Sequence, residues 1–292
     1  MLIVVVPFLN EKHYLPTLLG SIENQTRLPE CLLLVDDGST DDSPRIASAF
    51  ATKHPYAVVV QRPVRLPERD PLSAAHELRA FQWAVDQVDE PWEVVAKLDA
   101  DLQLQPELFA EVERQFALDP ALGIAGGYLS TLAPDERPVR HRGGPEHVDG
   151  ASKFYRRRCF EEISPLPAIL GWDTIDEVRA RLRGWRTSSF ELHSGGDSIH
   201  LRRMGSRDGV LRGFRRAGLA AYAYGAHPLY VLLSAAVRLR QRPLLLCGIN
   251  YLLGWILAVA RRAPRSEPDA RAFLRDEQLT RMRRILRPRA GS

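Results

Sequence analysis

Positions 2–6 read LIVVV, an unbroken apolar run that Pro7 ends. A strand with no polar face must be covered on both sides, as in a parallel sheet. Over residues 11–24 the period changes: Leu15, Leu18, Leu19 and Ile22 recur at helical spacing. The two periods then alternate. Residues 31–35 predict a second buried strand, and 44–52 a helix with Ile46, Ala49 and Phe50 inward. Residues 57–61 predict a third strand, 74–88 a helix with Leu78, Phe81 and Val85 inward, 92–98 a fourth strand and 106–119 another helix. From residue 123 the pattern loosens, and 132–150 is rich in Pro, Gly and His. Order returns at 150–160 and in a helix over 172–184, with Ile175, Val178, Ala180 and Leu182 roughly on one side.

Short strands alternating with helices predict an open, mostly parallel α/β sheet with flanking helices. In such sheets ligands bind beyond the carboxyl ends of the strands. Three polar clusters fall at such ends: PFLNE (7–11), DDGSTDDS (36–43) and DADL (99–102). They would converge on one rim.

Beyond residue 205 the pattern changes again. Residues 217–237 and 243–260 carry no Asp, Glu, Lys or Arg, and each is near the minimum length of a bilayer span. His227 and Pro228 interrupt the first, and Pro228 is expected to kink it. Arginines border both stretches, and 263–292 reads as a basic tail with one helix over 269–286. The expected organisation is one α/β domain over 1–205, with the regular strand–helix alternation within about 1–130 and a looser part over 131–205. A basic, apolar helical region over 206–262 and the tail follow.

Charge sharpens this division. The net charge of +4 over 292 residues hides 21 basic and 31 acidic side chains in residues 1–201. Residues 202–242 instead hold nine Arg and one Asp, and 261–292 hold ten Arg and four acids. A basic, apolar back half could seek nucleic acid or an anionic membrane; arginines around uncharged, aromatic-containing stretches suit the membrane surface, and no nucleic acid is expected. The cysteines Cys31, Cys159 and Cys247 show neither zinc spacing nor a disulfide framework, which fits a reducing compartment. The first residues lack the basic region of a signal peptide.

Asp99 and Asp101, two residues apart on a turn, can aim at one cation. Carboxylates with phosphate oxygens suit Mg²⁺ or Mn²⁺, and a diphosphate approaching two aspartates needs such a bridge. Asp37 closes the second strand and can accept from a base N–H or a ribose hydroxyl, while Gly38 permits a tight turn.

The segments VVVPFLNE (4–11), LLLVDDGSTDDS (32–43), KLDADLQL (97–104) and GWDTIDEVRARLRGWRT (171–187) resemble those of family 2 glycosyltransferases with the GT-A nucleotide-sugar fold. The resemblance implies that Pro7, Asn10 and Glu11 form the first nucleotide-binding loop and that Asp37, beside Gly38, reads the base. It implies Asp99 nearer the ribose or sugar, Asp101 on the metal, and Lys97 as charge near the phosphates or simply an edge residue. Where the family shows Glu-Asp, this chain has Trp172–Asp173, and Asp173 is the implied general base. Trp172 would stack on an acceptor sugar or sit in the core, and Asp176 and Glu177 are rival bases. By the same analogy His200 is a metal or phosphate ligand and Arg203 clamps the diphosphate; His76 or Arg79 could also lie near it.

The expected activity is therefore inverting transfer of a sugar from a nucleotide-diphosphate donor, UDP- or GDP-linked, to a saccharide or lipid-linked acceptor. The resemblance further implies surface polysaccharide or glycolipid synthesis at the cytoplasmic face of a bacterial inner membrane. The C-terminal helices would span, re-enter or lie on that membrane. The rivals are a nucleotidyltransferase, which should open with a Gly-rich phosphate loop that PFLNE is not, and a non-catalytic membrane- or nucleic-acid-binding protein on a degenerate fold.

Overall fold

A computed structural model describes residues 1–63, 75–133, 136–141, 143–202 and 209–286. The chain divides into two compact units: Met1–Ala168 with Arg183–Arg203, and Ile169–Leu182 with Met204–Ser292. The segment Ile169–Leu182, which the sequence reading grouped with the catalytic domain, thus clusters with the C-terminal helices.

The first unit holds β1 (Leu2–Phe8), α1 (Leu15–Glu23), β2 (Cys31–Asp36), α2 (Ser43–Lys53), β3 (Ala57–Gln61), α3 (His76–Val85), β4 (Val94–Leu98) and β5 (Leu102–Gln103). These are followed by α4 (Leu108–Leu118), β6 (Leu122–Gly127), β7 (Leu129–Leu132), β8 (Pro138–Arg140), β9 (Ser152–Arg156) and α5 (Arg157–Ile163). After an excursion into the second unit the chain returns with β10 (Arg186–Phe190) and β11 (Ser198–His200).

Seven strands form one sheet in the order β10-β6-β9-β4-β1-β2-β3. β1 lies in its interior, parallel to its neighbours β2 and β4, and every residue of β1 is buried. Leu2, Val4, Val6 and Phe8 face a core built with α1, α2 and α4. The opposite face packs Phe81 of α3 against Tyr155 and Phe160. This two-sided cover is why the strands read as apolar runs without alternation. α1 starts at Leu15 rather than near residue 11, because Pro16 is tolerated only in a first turn.

The loosening after residue 123 conceals strands. β9 runs antiparallel between β4 and β6, so the sheet is mixed. A second sheet has the order β5-β11-β7-β8. Gly126 hid β6 from a reading by composition, yet a Cβ there would stand 2.7 Å from the Ser152 carbonyl oxygen. The strand needs that glycine for close approach.

The second unit contains α6 (Trp172–Leu182), α7 (Val210–Ala223), α8 (Pro228–Arg238), α9 (Leu246–Ala260) and α10 (Pro268–Leu286). Pro228 does not kink a long helix. α7 ends at Ala223, Gly225 takes φ +83°, and Pro228 opens a separate helix that the His227 side chain caps by accepting from the Leu229 N–H. α7 and α9 cross at backbone contact: a Cβ on Gly218 would lie 1.9 Å from the Tyr251 carbonyl oxygen, and one on Gly254 2.0 Å from that of Arg215. α10 ties to α6 through Val178, Ala270 and Leu274 and through the pair Arg181–Glu277, while Glu267, just before α10, pairs with Arg179. No helix among the described residues is long and apolar enough to cross a membrane.

Candidate active site

The parallel pairing of β1 with β2 brings two of the polar clusters side by side. Phe8 sits opposite Asp36, and the Asp37 N–H donates to the Phe8 carbonyl at 3.0 Å. Beyond the strand ends the loops are stitched together. The Asn10 side-chain oxygen accepts from the Thr40 N–H at 2.8 Å, and the Glu11 N–H donates to Ser43 Oγ at 2.8 Å. Asn10 therefore acts as a clasp between the loops. Pro7 is buried at the end of β1. Asp37 is buried and receives Arg62 Nη1 at 2.8 Å; Gly38 follows at φ +92°, which a side chain would disfavour.

Asp99 and Asp101 leave the tip of β4, the next strand over. β5 follows directly and pairs antiparallel with β11, with His200 opposite Leu102. That register draws His200 beside Asp101 from a hundred residues away. His200 Nε2 donates to Asp101 Oδ1 at 3.2 Å, and ligand atoms of Asp99, Asp101 and His200 all lie within 4.8 Å of one another. His200 Nδ1 is buried and has no hydrogen-bond partner. A buried ring nitrogen without a hydrogen-bond partner is uncommon in a purely structural histidine.

The electrostatics of the three are coupled. Burial pushes Asp101 upward, but the His200 hydrogen bond and the charges of His200 and Arg202 outweigh it and hold Asp101 below the ordinary carboxylate range. Burial disfavours charged His200, yet the Asp101 hydrogen bond and the carboxylates of Asp101, Asp99 and Asp149 raise it above the ordinary imidazole value. Burial, with the charge of Asp101, raises Asp99 against the pull of Lys97. About 31% of the Asp99 side chain remains exposed, so solvent moderates that rise.

Lys97 is not an edge residue: β4 is flanked by β1 and β9. Its ammonium is buried, pairs with Asp99 and donates to the Gly150 carbonyl at 3.0 Å. Directly across the ladder stands Lys153, also buried. Arg203 lies outside the described residues. Its neighbour Arg202 takes the bridging position, pairing with Glu11 and approaching Asp101 Oδ2 at 3.5 Å. Of the two residues weighed at the third loop, His76 is buried at the start of α3, while Arg79 is exposed on the same helix.

The sequence reading also missed His141 and Asp149. His141 Nδ1 donates to Asp149 at 2.6 Å, its other nitrogen meets Thr131 Oγ1, and its ring lies 5.7 Å from that of His200. Thr131 is the β7 residue paired with His200. No spacing along the chain announces this cluster, because two strands and a loop assemble it.

Asp173 belongs to the second unit, in the first turn of α6. Gly171 precedes it at φ +82°, where a Cβ would press to 3.2 Å against both Ala220 and Tyr224 of the α7 end. Trp172 is buried. Asp176 and Glu177 are buried as well, whereas Asp173 is part-exposed.

No curated protein matches the chain. Among solved structures it is similar to the mannosyltransferase PcManGT from Pyrobaculum calidifontis in complex with GDP-Man and Mn²⁺, at 17% identity and TM-score 0.55, covering 98% of this chain and 80% of that one. It is also similar to the S. aureus TarS fragment 1–349 in complex with UDP, at 16% identity and TM-score 0.53, covering 80% and 70%. At such identities these likenesses establish the GT-A fold. The sequence model of glycosyl transferase family 2 matches residues 3–167, more than half of the chain, and the protein belongs to that family.

Proposed function

We propose that the protein is an inverting, metal-dependent glycosyltransferase that moves a sugar from a nucleotide-diphosphate donor to a hydroxyl of a saccharide or lipid-linked acceptor. One observation carries the metal-dependent donor site: Asp99, Asp101 and His200 converge at the tip of β4, with a buried His200 nitrogen that has no partner. Two hard carboxylates with one imidazole are a donor set that Mg²⁺ or Mn²⁺ accepts. Bound there, such an ion would supply positive charge to the donor diphosphate.

The chain's own residues supply the rest. Asp37, anchored by Arg62, offers a carboxylate oxygen to a base N–H, and Gly38 keeps the turn beside it free of a side chain. Pro7, Asn10 and Glu11 shape the first loop, and Arg202 is the guanidinium suited to bidentate phosphate contact. Lys97 orients Asp99. Asp173 takes the proton of the acceptor hydroxyl as that oxygen attacks the anomeric carbon. The part-exposure of Asp173, against the burial of Asp176 and Glu177, supports this assignment. A place in surface polysaccharide or glycolipid synthesis, at the cytoplasmic face of a membrane, completes the reading.

The test is calorimetry of the full chain with a panel of nucleoside diphosphates, with and without Mn²⁺, and Asp101→Ala as control. Binding of one nucleotide that requires metal and is lost in the variant is expected. Binding that ignores both metal and Asp101 would overturn the proposal.

A further inference from the structure

The second unit carries an apolar surface that nothing within the unit covers. Eleven of the sixteen large apolar side chains exposed among the described residues lie between 229 and 259. On α8, Leu229, Leu232 and Leu233 share a face opposite buried Val231 and Ala235. On α9, Ile249, Leu253 and Ile256 recur at helical spacing, opposite buried Gly248, Tyr251 and Ala258. Between the helices come three consecutive exposed leucines, Leu244, Leu245 and Leu246. Contiguous exposure on this scale marks an interaction surface.

Charge identifies the occupant. From residue 209 to 266 the chain has nine arginines and no Asp or Glu. Arg240 and Arg242 flank the leucines of the connection, and Arg261 and Arg262 close α9; all four are exposed. A second copy seated on this face would bring the same arginines with no acid to receive them. An anionic bilayer offers phosphates to the arginines and acyl chains to the leucines.

Length decides how the helices meet it. α8 has 11 residues and α9 has 15, so at 1.5 Å per residue they measure about 16 and 22 Å against a hydrocarbon core of about 30 Å. They are too short to cross and amphipathic enough to lie flat. We propose that α8, α9 and their connection form an interfacial anchor that docks the second unit on the surface of an anionic lipid bilayer. This stands independently of the metal site.

Co-sedimentation of the full chain with phosphatidylcholine vesicles, and with vesicles containing phosphatidylglycerol, tests it. Binding is expected to be about tenfold or more tighter on the anionic vesicles. The double variants Leu232→Glu/Ile249→Glu and Arg240→Glu/Arg242→Glu should each weaken it by about as much. All four positions are exposed, so unchanged thermal melting is the folding control. A wild-type chain that stays in the supernatant with both vesicles overturns the proposal. So does vesicle binding that neither folded variant alters. If light scattering shows a dimer that Leu232→Glu/Ile249→Glu splits while vesicle binding persists, the occupant is a second copy and the anchor is refuted.

Discussion

His200 faces two demands through one ring. Nε2 is committed to Asp101 at 3.2 Å, while buried Nδ1 makes no hydrogen bond. In the proposed site the imidazole would be one of the groups that hold the cation, and removing the imidazole takes away the nitrogen donor. His200→Ala is therefore expected to weaken Mn²⁺ binding by at least ~10–100-fold, the scale seen even for outer-shell partners. A Mn²⁺ titration followed by calorimetry reads this directly, and wild-type affinity in the variant would remove His200 from the site. At this scale the sequence was informative where chemistry is local. Asp99 and Asp101 follow an apolar strand, and Asp37 and Gly38 close another, so each could be named from its neighbours. It was least informative where a residue's partner is distant. Lys97 looked like an edge candidate because nothing in KLDADLQL reveals that β9 returns antiparallel beside it. Arg202 is another case: only the antiparallel pairing of β5 with β11 makes it the neighbour of Glu11 and Asp101.

Elements in this chain are held by two different devices, charge in the small sheet and close packing in the helices. β7, β8 and β11 are tied through Asp197, which accepts from Ser130 at 2.6 Å and from Arg140 at 2.7 and 2.9 Å, while Arg140 also reaches Glu191. Burial raises Asp197, but the hydrogen bonds of Arg140 and Ser130 more than offset this and depress it. A depressed carboxylate stabilises the fold above its unfolded value of about 3.9 and loses that contribution as pH falls through the folded value. Because 41% of the Arg140 side chain is exposed, solvent screening limits the contribution to ~1 kcal/mol. Asp197→Asn should cost about that much at neutral pH and flatten the acid limb of a stability-versus-pH curve below about pH 4; an unchanged acid limb would count against the clasp. The α7–α9 crossing is steric instead. A methyl at Gly254 would meet the Arg215 carbonyl oxygen at 2.0 Å, backbone that cannot step aside. Gly254→Ala is expected to destabilise by ~1–3 kcal/mol or more, read as a lowered melting temperature, and an unshifted melt would contradict the crossing. These cases mark how far the elements were legible. Apolar strands and amphipathic helices up to residue 119 follow from period alone. β6, β7 and β11 do not, because their glycines, serines and threonines suit close strand packing rather than any hydrophobic pattern. The uncharged stretch 217–237 read as one element, since absence of charge does not reveal where Gly225 and Pro228 divide α7 from α8.

At the scale of the whole molecule the proposed chemistry is distributed over two units. The three-residue cluster, Asp37 and Arg202 lie in the first, which holds every strand among the described residues; Asp173 lies in the second, on a helix clustered with the C-terminal helices. On that proposal donor binding and proton removal rest on different units, and a substitution in one should leave the other's function intact. Asp173→Asn keeps the size of the side chain and the N-terminal turn of α6, but it cannot accept a proton. It is expected to lower kcat by ~10²–10⁴-fold while the metal-dependent affinity for the donor nucleotide stays at the wild-type value. Asp101→Asn should lose nucleotide affinity and turnover together. Nucleotide calorimetry paired with a turnover assay, once a donor and acceptor pair is in hand, separates the two. If Asp173→Asn instead weakens nucleotide binding as much as it slows transfer, Asp173 serves the donor site and the general base must be sought elsewhere. If it alters neither, the part-exposed first turn of α6 has no share in the chemistry, and the second unit's contribution reduces to the surface of α8 and α9.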